Sequence, residues 1–387
     1  MNWELLALII YFVAMLGIGV LFFFRAKITS DKDYFLGGRS MGPWVTAMSA
    51  QASDMSAWLL MGLPGSILAF GLGQVWIGIG LALGTALNWI LIARRLRRFS
   101  QAADDAITLP QYLSKRFVTK SKALQVTCAI VFMVCFTLYV ASAFVAGSNV
   151  FTTLFHVRKE TAMLIFAIIL IVYTFLGGFR AVCWTDFFQG ILMLAAVLAV
   201  PIIVVLTRQP DASVLNEVIT TADGTAYAFT GSVFAASPQE IISGLAWGLG
   251  YFGMPHILVR FMAIKKPSMV KKSAIVAIVW VVLALTAVVF IAVFGRMLFG
   301  EELLASGQQS MVFVRMAREL FPAFIAGILL SAIIAASMST ADSQLLVASS
   351  SFTSDIYKPL IRKGASDKET LWVGRVVVLI ISVIAYV

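Results

Sequence analysis

Two stretches of this chain carry side chains able to hold an ion or a polar solute inside an apolar environment. The first is AASMSTADS at 335–343. Ser339 and Thr340 lie three and four residues after Ala336, on one helical face with it. Asp342 and Ser343 follow within a turn. The second is ASDMSAWLLMGLPG at 52–65, which puts Asp54 and Ser56 about halfway along an apolar stretch running from Gly42 to about Phe70. A carboxylate at that depth is costly and is kept where it faces a cavity, an ion or a partner. Gly62, Pro64 and Gly65 interrupt the same stretch, and a broken helix frees carbonyls that need a cavity or an ion. A hard cation such as sodium takes several hydroxyl and carbonyl oxygens. Two adjacent hydroxyls and the Ala336 carbonyl, facing the broken helix, supply such a shell. The competing reading is that the hydroxyls bond back to their own helix or join neighbouring helices. Asp342 beside them weighs toward the ion. Of nineteen acids, only Asp54 and Asp342 fall deep in apolar segments.

The remaining candidates are weaker. Asp186 opens an apolar segment after GGFRAV at 177–182, and reads as a helix-capping carboxylate near a surface in preference to a ligand. Trp58 follows Ser56, Trp247 and Tyr251 stand at i and i+4, and Tyr139 lies in another apolar segment. Aromatic faces of this kind enclose an apolar ring or a cationic amine, at about 0.5–2 kcal/mol each. Nothing in the sequence supports catalysis. His156 and His256 are not paired at metal-ligand spacing, and His256 reads as structural or interfacial. Cys128, Cys135 and Cys183 lie in or beside apolar helices as packing residues, with no disulfide framework.

The elements that must position these groups are membrane spans. The chain has 387 residues, 60% hydrophobic and 12% charged, with a mean hydropathy of +0.95. That excludes an ordinary soluble domain. Ten apolar segments reach spanning length: about 3–24, 43–70, 73–93, 123–153, 161–178, 187–207, 241–259, 273–298, 322–353 and 371–387. The first has no basic lead-in or cleavage signal and reads as a retained span. The net charge of +10 is gathered in short segments between apolar runs, so it does not argue for nucleic acid. With the N-terminus outside, 23 of the 29 Lys and Arg fall inside and six outside, with Arg260 counted in and Arg296 counted out. The 208–240 loop is then external, and MVFVRMARELF (311–321) and LPQYLSKRF (109–117) read as short surface helices. The second and seventh spans are both glycine- and proline-interrupted and enter the membrane in opposite directions, as in transporters built from inverted repeats.

At these residues the chain resembles the sodium/solute symporter family, most closely its sodium/proline branch. The resemblance is carried by YFLGGRSMGPWVTAMSAQASDMSAWLLMGLPG (34–65), TLYVASAFVAG (137–147), GGFRAVCWTDFFQG (177–190), WGLGYFGMPHILVRFMA (247–263) and GILLSAIIAASMSTADSQLLV (327–347). It implies an all-α polytopic membrane protein with a leucine-transporter-type inverted-repeat fold. Residues 1–30 would be an extra N-terminal helix, 40–207 the first five-helix repeat, 208–240 an external loop and 241–387 the second repeat. Family members are longer, so this second repeat is expected to lack its last helix, leaving the fold C-terminally incomplete. The resemblance further implies uptake of L-proline driven by inward sodium flow, in a multi-pass bacterial plasma-membrane protein surrounded by lipid. Sodium would be held by the carbonyls of Ala52, Met55 and Ala336 and the hydroxyls of Ser339 and Thr340, with Asp54 an essential acid nearby. Proline would lie near Ser56, Trp58, Tyr139, Trp247, Tyr251 and Pro255. A further sodium site in some members matches Asp186, Ser339, Asp342 and Ser343. A different amino acid, a betaine or a monocarboxylate as solute, or a transporter-like sensory domain, are the alternatives.

Overall fold

The architecture is that of a computed structural model describing residues 3–25, 28–155, 157–222 and 224–387. Lys27 and His156, weighed above, lie outside the described residues. The apolar segments are helical. α1 (Trp3–Arg25) is followed by a short α2 (Asp31–Leu36), then α3 (Pro43–Met55) and α4 (Gly62–Phe70), which together form the interrupted second span. α5 (Val75–Leu87) continues through a wide turn into the basic α6 (Arg94–Ala102), and α7 (Leu109–Arg116) lies ahead of the long α8 (Ala123–Phe155). Then come α9 (Lys159–Thr207), α10 (Pro238–Ala246), α11 (Pro255–Ala263), α12 (Val270–Ala305), α13 (Val312–Leu320), α14 (Ala323–Phe352) and α15 (Asp367–Tyr386). Among the described residues, seven helices are long and apolar enough to cross a membrane, or eight if the pair around Pro255 is one bent span.

α14 is the axis of the bundle. Every residue from Leu329 to Ser351 is buried, and the helix packs on α1, α8 and α9. A helix buried on all sides keeps polar residues only where other helices supply partners. That is where Ser339, Thr340, Asp342 and Ser343 sit.

Both interrupted spans are observed, but the first breaks earlier than its glycines suggest. α3 stops at Ser56, whose φ of 48° and ψ of −174° are not helical. The Ser56 hydroxyl then accepts from the Trp58 N–H at 3.2 Å, which caps the following turn. Gly62 and Pro64 lie in the first turn of α4 instead, where proline is tolerated because those N–H groups lack helical partners. The second break runs through Trp247–Phe252, with a bend of 45° before α11. Pro255 is the first residue of α11.

α5 and α10 meet backbone to backbone. A methyl on Gly80 would come within 2.3 Å of the Gly244 carbonyl, and one on Gly84 within 2.3 Å of the Gly248 carbonyl. Only glycine permits this approach.

Four expectations are corrected. Segments 161–178 and 187–207 are not separated by a loop; within α9 two helical stretches meet directly at Gly178, whose φ of 57° and ψ of −161° are not helical. The Tyr34 ring presses on that residue, 2.6 Å from where a Cβ would lie. Asp186 is therefore inside a helix and fully buried, and caps nothing. Arg260 and Arg296, counted as loop charges, are buried in the bundle. Arg296 donates to the carbonyls of Tyr227 (2.9 Å) and Glu217 (3.2 Å), tying the 208–240 loop to α12. Finally, Asp186 and Asp355 join Asp342 as fully buried acids, so sequence depth undercounted them.

Candidate functional site

The Ser56 break opens a cavity of about 120 Å³ between α3, α5, α8 and the α10–α11 break. Asp54, Met55, Ser56 and Trp58 line one side, and Trp247, Gly250, Tyr251 and Met254 the other, with Leu81 and Tyr139 between them. Trp58 and Trp247 stack at 5.4 Å between ring centroids and 20° between planes. The Tyr251 hydroxyl lies against the Asp54 carboxyl and the Thr85 hydroxyl. Its backbone carbonyl accepts from Asn88 Nδ2 at 2.8 Å, which fixes the broken segment. Asp54 Oδ2 is buried with no hydrogen-bond partner among the described residues. An unmet buried acceptor of this kind is a demand for a cation or a donor. Tyr139 faces Ser56 across the cavity. Five of the six solute candidates therefore converge, and Pro255 does not: its ring opens α11, and its place is structural. Leu81, Gly250 and Met254 were not anticipated, because an apolar or glycine residue in an apolar helix carries no distinguishing signal.

Just behind Asp54, the oxygens of the ion candidates are gathered. Ser339 Oγ donates to the Ala52 carbonyl at 2.8 Å and to the Ala336 carbonyl at 3.2 Å. Thr340 Oγ1 donates to the Ala336 carbonyl at 3.0 Å. Ala52 is in the last turn before the Ser56 break, so a freed carbonyl from α3 meets the hydroxyl face of α14. These oxygens suit a hard monovalent cation, which would replace the hydroxyl protons as the carbonyls' partner. Among the described residues, no hydrogen bond links the Met55 carbonyl to this group, though Met55 is in the same last turn of α3 as Ala52.

The second set is organised around a residue the sequence reading placed elsewhere. Arg260, on α11, is 1% exposed. Its Nε donates to Ser49 Oγ at 2.8 Å, and a terminal nitrogen to Asp186 Oδ2 at 2.9 Å. It also reaches Ser343 Oγ and the His256 carbonyl. Ser49 in turn donates to Asp186 Oδ2 at 2.6 Å. Asp342 accepts from the Tyr173 hydroxyl at 2.5 Å and from Ser343 at 2.9 Å, and Ser343 also donates to the Ser339 carbonyl at 2.7 Å. Asp186, Ser339, Asp342 and Ser343 thus form one connected network with the arginine in its midst. A buried charge is tolerated when paired and hydrogen-bonded in this way. His256 is fully buried, edge-on to Phe136 at 5.5 Å.

A third cluster closes the basic end of the bundle. Arg39 donates to Asp105 at 2.8 Å and to the Met262 and Ala106 carbonyls at 2.6 and 2.8 Å. Burial works to raise the Asp105 carboxyl, but Lys32 and Arg39 outweigh it and hold it below the usual carboxylate range.

Broken spans, a stacked-tryptophan cavity and adjoining oxygen clusters define a secondary transporter, and the matching family is known. Residues 34–387 match the sodium:solute symporter family, and the chain belongs to it. It is 44% identical over 387 residues to the sodium/proline symporter of Haemophilus influenzae (strain Rd), covering 99% of this chain and 76% of that one. It is 43% identical to the sodium/proline symporter of Escherichia coli K12 over 97% of this chain and 74% of the relative. It is 42% identical to a high-affinity proline transporter of Bacillus subtilis 168 over 94% and 76%. Among solved structures, a Na+-coupled sialic acid symporter in a substrate-bound outward-open state aligns with a TM-score of 0.78 at 19% identity, covering 99% of this chain and 81% of that one. The transporter MhsT with L-phenylalanine aligns at 0.59 and 14% identity, over 88% and 78%. The leucine-transporter-type, predominantly helical, multi-pass membrane fold expected from the resemblance is borne out, with a two-stranded hairpin in the 208–240 loop.

Proposed function

We propose that this protein couples inward sodium flow to L-proline uptake by alternating access, without a chemical step. The observation that carries this reading is the placement of Ser339, Thr340 and the Ala52 and Ala336 carbonyls directly behind the Asp54–Trp58 wall of the cavity. An ion held there ties α14 to α3 and so fixes the wall against which the solute binds. Sodium then raises solute affinity, and linkage requires the solute to raise sodium affinity by the same factor. The kinship with sodium/proline symporters over nearly the whole chain supports the choice of ion and solute.

In this reading Ala52, Met55, Ala336, Ser339 and Thr340 hold sodium, and Asp54 serves the ion or the gate. Ser56, Trp58, Tyr139, Trp247 and Tyr251 enclose proline. The network of Asp186, Asp342 and Ser343 is a second ion-coupling station. Residues 40–207 and 241–387 are the two inverted repeats after the helix of residues 1–30, and 208–240 is the loop between them. The basic segments face the cytoplasm of a bacterial cell, with the N-terminus outside.

The test is radiolabelled proline uptake by cells that lack their own proline carriers and express this protein. Uptake should collapse when choline replaces sodium, and undiminished uptake would overturn the coupling. Competition by other amino acids, betaines and monocarboxylates checks the solute, with proline expected to compete best.

A further inference from the structure

At the basic end of the bundle, some of the cations have an acid. Arg39 and Lys32 share Asp105, Lys115 has Asp104, and Lys358 bridges Asp31 and Asp367. Arg95 and Arg116 form no ion pair among the described residues. Both line a groove of about 360 Å³, separate from the solute cavity, between α6, α7, α8 and the α10–α11 break. Its walls are aromatic: Phe99, Tyr112, Phe132 and Phe252. The Arg116 guanidinium sits 5.6 Å over the Phe99 ring and 3.5 Å from the Tyr112 hydroxyl, at the edge of the groove. Around it, Ile90, Leu91, Phe99 and Phe117 are exposed, as befits side chains facing lipid. The groove therefore lies where hydrocarbon gives way to water, with two acid-free arginines at an apolar wall.

We propose that this groove binds one anionic phospholipid, with the phosphate on Arg95 and Arg116 and an acyl chain along the aromatic wall. Guanidinium groups bind phosphate oxygens in a bidentate fashion, and basic pockets between helices at the cytoplasmic face suit anionic headgroups. A soluble anion would leave the aromatic wall wet, which argues for the lipid as occupant. The site also reaches the transport machinery. Phe252 and Gly253 wall the groove while Gly250, Tyr251 and Met254, on the same broken segment, line the solute cavity. A bound lipid braces that segment from behind and favours solute binding. This last step rests on the solute reading above; the lipid site does not.

The experiment is native mass spectrometry of the purified protein titrated with palmitoyl-oleoyl phosphatidylglycerol or the matching phosphatidylcholine. One phosphatidylglycerol should be retained at least ten-fold more tightly than phosphatidylcholine. Each arginine at the membrane surface is worth about five-fold in affinity, so Arg95→Gln with Arg116→Gln should remove most of that preference. Arg94→Gln with Arg98→Gln, equal in charge but not lining the groove, should keep it. Equal retention of the two lipids by the unmodified protein overturns the site, and that measurement needs no variant to fold. Displacement of phosphatidylglycerol by millimolar inorganic phosphate would make it a soluble-anion site instead and would also overturn it. Proline binding in nanodiscs should be several-fold tighter with phosphatidylglycerol than with phosphatidylcholine, and should lose that difference in the Arg95/Arg116 variant. Absent proline binding in both lipids, with phosphatidylglycerol still retained, would strike the solute reading and leave the lipid site standing. Proline binding indifferent to lipid would overturn the bracing.

Discussion

Replacing Arg260 with methionine is expected to destabilise the protein more than almost any other single change. Methionine fills much of the same volume but donates no hydrogen bond. Arg260 is 1% exposed and serves Ser49, Asp186, Ser343 and the His256 carbonyl at once. Among the described residues, its removal leaves the fully buried Asp186 with only the Ser49 hydroxyl, and removes the one cation near Asp342. Removing one member of a buried pair costs about 3–5 kcal/mol, because the surviving charge is left in a poor dielectric. Asp186→Asn, which strands the guanidinium instead, should cost a similar amount. The double variant should cost far less than the sum, since no unpaired charge remains between the two positions. A coupling of about 2 kcal/mol or more is expected from the cycle. The assay is heat-induced loss of the monodisperse peak in detergent, at one heating rate because such unfolding is irreversible. Each single variant should lose on the order of 5–10 °C, and the double variant should recover part of it. An Arg260→Met protein that melts with the wild type, or losses that simply add, would refute the network.

Four other outcomes are expected. Ser339→Ala and Thr340→Ala should each raise the sodium needed for half-maximal uptake about ten-fold, the scale of 1–3 kcal/mol for a lost polar partner; unchanged dependence in both would remove them from the ion site. Trp247→Ala should weaken proline binding by about 2 kcal/mol, the low end for a buried aromatic since the ring is 49% exposed. Sodium binding without proline, read by calorimetry, should hardly move, and an equal loss for both ligands would point to fold damage. Gly248→Ala should sharply lower the yield of folded protein, because its methyl would lie 2.2 Å from the Gly80 carbonyl. Gly250→Ala, with open space around the new methyl, is the comparison, and equal yields would show the seam to be slack. Asp105, held below its ordinary value, contributes stability fully above its unfolded pKa of about 3.9, and loses it as pH falls through the lower folded value. Melting measured from pH 5 downward should therefore fall less steeply in Asp105→Asn than in wild type, and parallel curves would refute the pairing.

The pattern of residue types revealed the spans, the two broken helices and the polar face of α14. Those features leave a local trace: a charge or a hydroxyl pair interrupts an otherwise apolar run. Asp54, Ser339 and Thr340 were found that way, and they do converge. Arg260 was not found, because it sits at the end of an apolar run three residues before Ala263 and five before Lys265, and reads as the first charge of a loop. Only tertiary structure folds α11 inward against α3 and α9 and carries it to Asp186. Tyr173 was hidden for the opposite reason: a tyrosine in an apolar helix is ordinary, and its bond to Asp342 spans 169 residues. The position of the first break was misjudged because glycine and proline mark where a helix can be interrupted, while the interruption itself fell on Ser56, held by its own capping bond. The supposed loop after Gly177 failed similarly, since one non-helical glycine, Gly178, turns the chain from one helical stretch directly into the next.

The burial of Asp186 bears on how this protein is made. Its counter-charge, Arg260, lies 74 residues further along the chain. At 5–20 residues per second, translation reaches the arginine about 4–15 seconds after the aspartate. Through that interval the second half of α9 must enter the bilayer with a carboxylate that has the Ser49 hydroxyl but no counter-charge, at up to about 2.5–3.5 kcal/mol. The apolar run that follows, ILMLAAVLAV at 191–200, supplies the insertion energy that lets it wait. Until α11 arrives, α9 can pack on α1, α3 and α8, which precede it in the chain, but Asp186 lacks its ion pair. The order of synthesis therefore makes the Arg260 pairing a late locking step, and a ribosome stalled between the two residues should leave Asp186 without its counter-charge.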